Sequence, residues 1–197
     1  YDLTKPVEPA LQISDVLLLY KEGGKKGVWI HPDGMPGELE KLLVSQDSSR
    51  LDNTPTAIIT LSDRASSGVY EDRSGPLLKT ALEEMGANII EASILPDEPT
   101  QLEEKLLELC GNVDLILTTG GTGVSPRDKT PQVLKKLCSY EVTGIGEILR
   151  QFAAETVPTT WLSRSLAVVI GKTLVIALPG STGGVKDGIA VLKPLLS

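Results

Sequence analysis

The sequence predicts a three-layer α/β/α domain on a mostly parallel sheet with an antiparallel edge, and three observations carry that expectation. Short apolar runs alternate with one-sided helical patterns from residue 57 onward, an order that calls for a parallel sheet covered on both faces. The run Leu115-Ile-Leu117 lacks polar alternation, as expected of a strand buried on both sides. Leu166-Ala-Val-Val-Ile170 and Leu174-Val-Ile-Ala-Leu178 are joined by a tight turn at Gly171-Lys172, which makes them an antiparallel pair.

In chain order, residues 1–31 read as a unit of their own. A strand over Ile13–Tyr20 leads into the Gly-rich basic turn Lys21-Glu-Gly-Gly-Lys-Lys-Gly27 and returns through Val28-Trp29-Ile30, a hairpin pattern. One hairpin buries too little surface to stand alone, so it packs on something else or ends a larger domain. Residues 32–54 carry Pro32, Gly34, Pro36, Gly37 and a polar stretch up to Thr54, the composition of a linker.

The main domain, residues 55–197, begins with the strand Ala57–Leu61 and the polar loop Ser62-Asp63-Arg64. Ser74-Gly-Pro76 opens a helix with Leu77, Leu78, Ala81, Leu82 and Met85 on one side, and Gly86 stops it. A strand over Ile89–Ile94 and the loop at Asp97 precede a helix over 100–110 with Leu102, Leu106 and Leu109 inward. The strand at Leu115 breaks into Thr118-Thr119-Gly120-Gly121-Thr122-Gly123, where glycines let backbone N–H groups turn toward an anion. Arg127 then offers a planar fork suited to phosphate and Asp128 a hard oxygen ligand suited to magnesium. Thr130 and Pro131 read as N-cap and first residue of the next helix, with Val133, Leu134 and Leu137 inward. A further helix opens at Gly144-Ile-Gly146-Glu147, where Glu147 suits the helix dipole. Ser163-Arg164-Ser165 leads into the antiparallel pair. Pro179-Gly180-Ser181 is a second Gly-rich strand-to-helix loop. In a parallel sheet, loops after the carboxyl ends of strands share one rim, where ligands bind. Ser62–Ser67, Asp97, Thr119–Asp128 and Pro179–Ser181 all fall there.

Composition narrows the chemistry. The formal net charge of −7 excludes a non-specific nucleic-acid surface. A single histidine, His31, excludes His-based triads and His-rich metal sites. Cys110 and Cys138 lie within amphipathic patterns and read as reduced, buried thiols. No apolar run approaches a membrane span and no signal-peptide shape stands at the N-terminus, so a soluble cytoplasmic protein with no membrane partner is expected. A start at Tyr1 rather than Met is expected of an internal fragment, a processed product or a chain lacking upstream residues. Pro126 stands where a dinucleotide fingerprint wants its third Gly, and no P-loop pattern occurs. The phosphate cradle is of another kind.

Seven segments together resemble one family. They are Ser62-Asp-Arg-Ala-Ser-Ser-Gly-Val-Tyr70, Leu95-Pro-Asp97-Glu, Thr118-Thr-Gly-Gly-Thr-Gly123, Arg127-Asp-Lys-Thr-Pro131, Gly144-Ile-Gly-Glu147, Leu162-Ser-Arg164 and Leu178-Pro-Gly180. In this order they are similar to the molybdopterin adenylyltransferases of the MogA/MoaB group, over about residues 55–196. The resemblance implies the MogA-like fold and transfer of AMP from Mg-ATP to molybdopterin, with pyrophosphate released. It implies functional carboxylates at Asp97 and Asp128 that hold Mg, and a phosphate loop at Gly120–Gly123. It implies substrate contacts at Ser62, Asp63, Arg64, Thr119, Arg127, Glu147, Ser163, Arg164, Pro179, Gly180 and Ser181. It further implies a homo-oligomer, a trimer or hexamer, and contact with other molybdenum cofactor enzymes. The family's last helix continues beyond the point where this chain stops, so a short final element is expected. Two other functions fit the same fold: a non-catalytic molybdopterin-binding scaffold and a CinA-type nucleotide pyrophosphatase.

Tyr1-Asp2-Leu-Thr-Lys5 with Ile13-Ser-Asp-Val and Lys21–Gly27 resembles the C-terminal end of cyclic pyranopterin monophosphate synthases, the MoaC family. That likeness implies active-site roles for Asp2 and Lys5 and a parent protein that fuses two steps of one pathway. With the rest of such a site absent, Lys5 is expected to be an inert, solvated lysine in this chain.

Overall fold

A strand core forms where β-branched and leucine residues succeed one another without charge, and four such strands lie side by side in this protein. The structure, a computed structural model, describes residues 19–22, 25–28 and 51–196. Contacts divide the chain into two units, Tyr1–Ser45 and Gln46–Ser197.

In the first unit, β1 (Leu19–Glu22) pairs antiparallel with β2 (Lys25–Val28), Leu19 opposite Val28 and Glu22 opposite Lys25. The register places Lys21, Glu22 and Lys25–Gly27 within the strands, where the sequence pattern spreads a turn over 21–27. Only Gly23-Gly24 stands between the strands, the length of a two-residue hairpin connection. Residues 13–18 and 29–30, along with Asp2 and Lys5, fall outside the described residues.

The second unit begins earlier than the linker composition suggests. Leu51 is buried in the main core and its N–H donates to the Met85 carbonyl at 2.9 Å. A lone leucine among polar residues gives no periodic signal, so its packing is invisible to pattern.

Six strands form the sheet, in the order β4 (Asn88–Leu95), β3 (Pro55–Leu61), β5 (Leu115–Thr119), β8 (Thr173–Leu178), β7 (Leu166–Ile170) and β6 (Tyr140–Glu141). β4, β3, β5 and β8 run parallel, and β7 is antiparallel to both β8 and β6. The predicted three-layer, mostly parallel sheet with an antiparallel edge is what forms. The two-residue β6 closes that edge, and β8 lies inside the sheet.

Strand geometry sends alternate side chains to opposite faces. Ile58, Leu115, Leu117, Ile176 and Leu178 meet one set of helices, α2 (Ser74–Glu84), α5 (Thr143–Ala154) and α6 (Thr182–Leu192), through Leu78, Leu82, Leu149, Val185 and Leu192. Ala57, Ile59, Ile116, Val175 and Ala177 meet α3 (Pro99–Leu109) and α4 (Thr130–Leu137) through Leu102, Leu106, Val133 and Leu134. Each fully buried Leu, Ile or Val among them contributes roughly 1.5–3 kcal/mol. With both faces fixed, the carboxyl ends of β3, β4, β5 and β8 emerge on one rim.

Candidate functional site

The rim loops are stitched together by their own polar groups. After β3, Ser62 Oγ accepts from Ala65 N at 3.2 Å and caps the short helix α1 (Asp63–Ser66). After β4, Asp97 N donates to Asp63 Oδ1 at 2.9 Å while Asp63 N donates to Asp97 Oδ2 at 3.2 Å. This reciprocal pair fixes two loops against each other. From the loop after β5, Arg127 forms an ion pair with Asp63 and lies 3.9 Å from Glu98. Burial pushes the Asp97 carboxyl above its ordinary value, the Asp63 N–H pulls it back, and the Asp63 charge adds to the rise. Asp97 is therefore a half-buried carboxylate in a ring of charge.

The Gly-rich turn after β5 is held from two sides. Gly120 N donates to the Leu178 carbonyl at 3.1 Å, and Gly180 lies so close that a Cβ there would stand 3.1 Å from Gly120 Cα. Gly120 takes φ +108, and a Cβ on it would strike the Leu61 carbonyl oxygen. On the other side, Thr130 Oγ1 donates to Gly120 O at 3.0 Å and Thr130 N to Gly121 O at 3.2 Å. Thr130 is the first residue of α4, not its cap, and Pro131 is the second. Its hydroxyl is spent on the glycine turn instead of the helix N-terminus. Thr119 Oγ1 likewise donates to Pro179 O at 2.8 Å, tying the two Gly-rich loops together.

Both carboxylates flank this turn. A Cβ on Gly121 would lie 3.7 Å from Asp97 Oδ1, and one on Gly123 would lie 2.8 Å from Asp128 Oδ2. Asp128 Oδ2 accepts from Ser125 N at 2.8 Å. Ser62, Asp97, Gly120–Gly123, Asp128, Gly180 and Ser181 line one cleft of about 530 Å³. Among the described residues no three His, Cys, Asp or Glu side chains cluster closely enough to form a metal cage. Two hard carboxylates beside an anion-receptive turn fit magnesium, which binds through one or two carboxylates, substrate phosphates and water. Asp128 and Asp97 are the residues that would hold it.

Other expected site residues stand apart. Arg64 lies over the Tyr70 ring at 5.2 Å. Glu147, exposed on α5 one turn in from its start at Thr143 rather than in the first turn, lines a second cleft of about 470 Å³ with Ser163 and Arg164. Arg164 turns its guanidinium toward the back of the glycine turn, where Nε donates to Gly123 O at 2.7 Å and Nη2 to Asp128 O. Pro179 and Ser163 also line a third cleft of about 280 Å³ between α5 and α6.

The structure adds Asp72, Arg73, Tyr70 and Ser74 to the first cleft. Asp72 Oδ2 accepts from Thr60 Oγ1 at 2.8 Å, and Oδ1 accepts from Ser74 N at 2.9 Å and Gly75 N at 3.1 Å. Ser74 Oγ donates to Gly180 O at 3.0 Å. An acidic residue two places before Ser74-Gly-Pro76 is the available signal for Asp72, since such residues serve helix N-termini.

Residues 57–197 match the family described as "Probable molybdopterin binding domain". The whole chain is 40% identical over 197 residues to a molybdenum cofactor biosynthesis bifunctional protein of Synechococcus elongatus, and it spans 60% of that protein's length. It is 38% identical over 143 residues to a molybdopterin adenylyltransferase of Helicobacter pylori, covering 71% of this chain and 81% of the relative. The molybdopterin biosynthesis Mog protein from Mycobacterium ulcerans superposes with a TM-score of 0.69 at 39% identity, covering 73% of this chain and 94% of that one.

Proposed function

Since this chain belongs to the family of the probable molybdopterin binding domain, we propose that it serves molybdenum cofactor biosynthesis by adenylylating molybdopterin. In this reading an oxygen of molybdopterin's terminal phosphate attacks the α-phosphorus of Mg-ATP, a new P–O–P bond forms, and pyrophosphate leaves. No protein nucleophile is required, so the protein contributes alignment and charge stabilisation. Magnesium, when bound at Asp128 and Asp97, neutralises phosphate charge. The glycine turn presents backbone to the phosphates, and Arg127, exposed at the rim, can leave Asp63 for an incoming anion.

The single observation that carries this reading is the placement of Asp97 and Asp128 on either side of the Gly120–Gly123 turn in one cleft. Similarity to a bifunctional relative over all 197 residues supports a fusion in which the first unit belongs to a second enzyme of the pathway. The individually exposed side chains of Phe152, Trp161 and Leu162, on α5 and the 3₁₀ turn Pro158–Leu162, support a homo-oligomer in which a partner copy covers them.

The test is to incubate the protein with ATP, magnesium and molybdopterin and measure pyrophosphate and adenylylated product. Turnover is expected, and Asp128→Ala should lower it by about 100-fold or more while leaving the unfolding midpoint nearly unchanged. Ligand binding without pyrophosphate release would select the scaffold function, and dinucleotide hydrolysis without molybdopterin would select the CinA-type activity. Full activity in Asp128→Ala would remove the role given to that carboxylate.

A further inference from the structure

We propose that Arg164 is a positioning residue that sets the backbone carrying Asp128, rather than a ligand for the anionic substrate; this rests on the role given above to Asp128. Arginine grips phosphate side-on through its planar edge of paired donors. In this protein that edge is taken: Nε donates to Gly123 O at 2.7 Å and Nη2 to Asp128 O. With the Gln132 amide oriented to satisfy its neighbours, Gln132 Oε1 accepts from Nη1 at 2.9 Å and the amide nitrogen donates to Lys129 O at 3.2 Å. The Arg164 N–H adds a bond to Thr122 O at 2.8 Å. Every nitrogen of the side chain thus faces a protein acceptor.

The bonded carbonyls lie at Thr122, Gly123 and Asp128, the beginning and end of one excursion. Between them run Val124–Arg127, all exposed, whose path is fixed by local bonds, Ser125 N to Asp128 Oδ2, Asp128 N to Ser125 O and Arg127 N to Ser125 Oγ, and by the exposed Arg127 ion pairs to Asp63 and Glu98. One planar guanidinium therefore sets the separation of the two ends, and with it the position of the Asp128 carboxylate against Gly123. A lysine keeps the charge yet cannot span two carbonyls with a rigid fork. Replacement of Arg164 by Lys separates a charge role from a bracing role.

The experiment uses the full chain as Arg164→Lys and Arg164→Ala. In ligand-free protein, trypsin cleavage after Arg127 and Lys129, followed by mass spectrometry, should accelerate about tenfold in both variants, because local opening exposes those bonds. In the adenylylation assay, kcat should fall by about 100-fold in both, as expected when a catalytic group is misplaced by about 1 Å, with KM for Mg-ATP and molybdopterin held within about threefold. Unchanged cleavage overturns the brace. So does a raised KM with kcat retained, or a Lys variant that keeps wild-type kcat. If the wild type transfers no AMP while the variants still open at 127–129, the adenylylation reading fails and the brace stands.

Discussion

The two clefts on either side of Arg164 contain similar residue types and differ in what those residues are committed to. In the second cleft, the cations already have partners. Arg150 Nη1 donates to Ser165 O at 2.8 Å, and Lys135 lies 3.0 Å from Glu141. In the first cleft, two carboxylates stand against a turn of glycines packed too tightly to admit a Cβ, and among the described residues no lysine or arginine forms an ion pair with Asp128. Basic and acidic residues in a pocket do not by themselves make a site. Unspent charge beside an anion-receptive backbone does, because its interaction energy is still available to a ligand.

The largest way to break this contrast is to fill the turn. Gly120→Ala must adopt φ near +108 with a Cβ against the Leu61 carbonyl, and it should cost about 3 kcal/mol in chemical denaturation and abolish adenylylation. Gly68→Ala is the internal control. Its φ is +73 and nothing lies within 4 Å of the added methyl, so the cost should be about 1 kcal/mol with activity retained. Equal costs at the two positions would mean that the crowding behind Gly120 is not what fixes the turn.

How much of this was legible from sequence depends on whether the signal was local. Leu115, Ile116 and Leu117 announce a two-faced strand because each side chain has a helix waiting for it, and the repeated strand-to-helix order is enough to gather Asp97, Gly120–Gly123 and Asp128 on one rim. β6 escaped notice because two residues make too short a pattern, and Leu51 because it stands alone. In the site, the residue types were readable but their commitments were not. Arg164 meets carbonyls 41 and 36 residues away, and Asp63 meets Asp97 34 residues away. Such pairings exist only once strand order brings the loops together, so an arginine that looks free for phosphate in sequence is found bound to backbone.

A second test acts on Asp97. Asp97→Asn keeps an oxygen able to accept from Asp63 N but loses the charge, so adenylylation should fall by about 100-fold. Stability should move the other way. Burial raises the folded carboxyl above its ordinary value, so the native state binds the proton more tightly than the unfolded chain. The wild type then loses stability as pH rises from the ordinary aspartate value through the raised one. The Asn variant should accordingly gain on the wild type across that window, by about 0.5 kcal/mol or less because water screens the half-exposed group. Denaturation midpoints measured at acid and neutral pH check the sign. A variant that loses ground as pH rises would mean that the Asp63 N–H, and not burial, governs this carboxyl.

The smallest expected effect lies in the second cleft and tests whether its charges are committed. Lys135 and Glu141 have side chains 54% and 35% exposed, so their pairing competes with water and salt and is worth about 0.2–1 kcal/mol at most. Lys135→Ala should shift stability by less than about 0.5 kcal/mol, and KM for both substrates should stay within about twofold, since uniform binding lost from a distant rim would show there first. A tenfold rise in KM for molybdopterin would instead make the second cleft part of the substrate path. It would also turn the line of residues Glu147, Ser163 and Arg164 from a supporting wall into a continuation of the site.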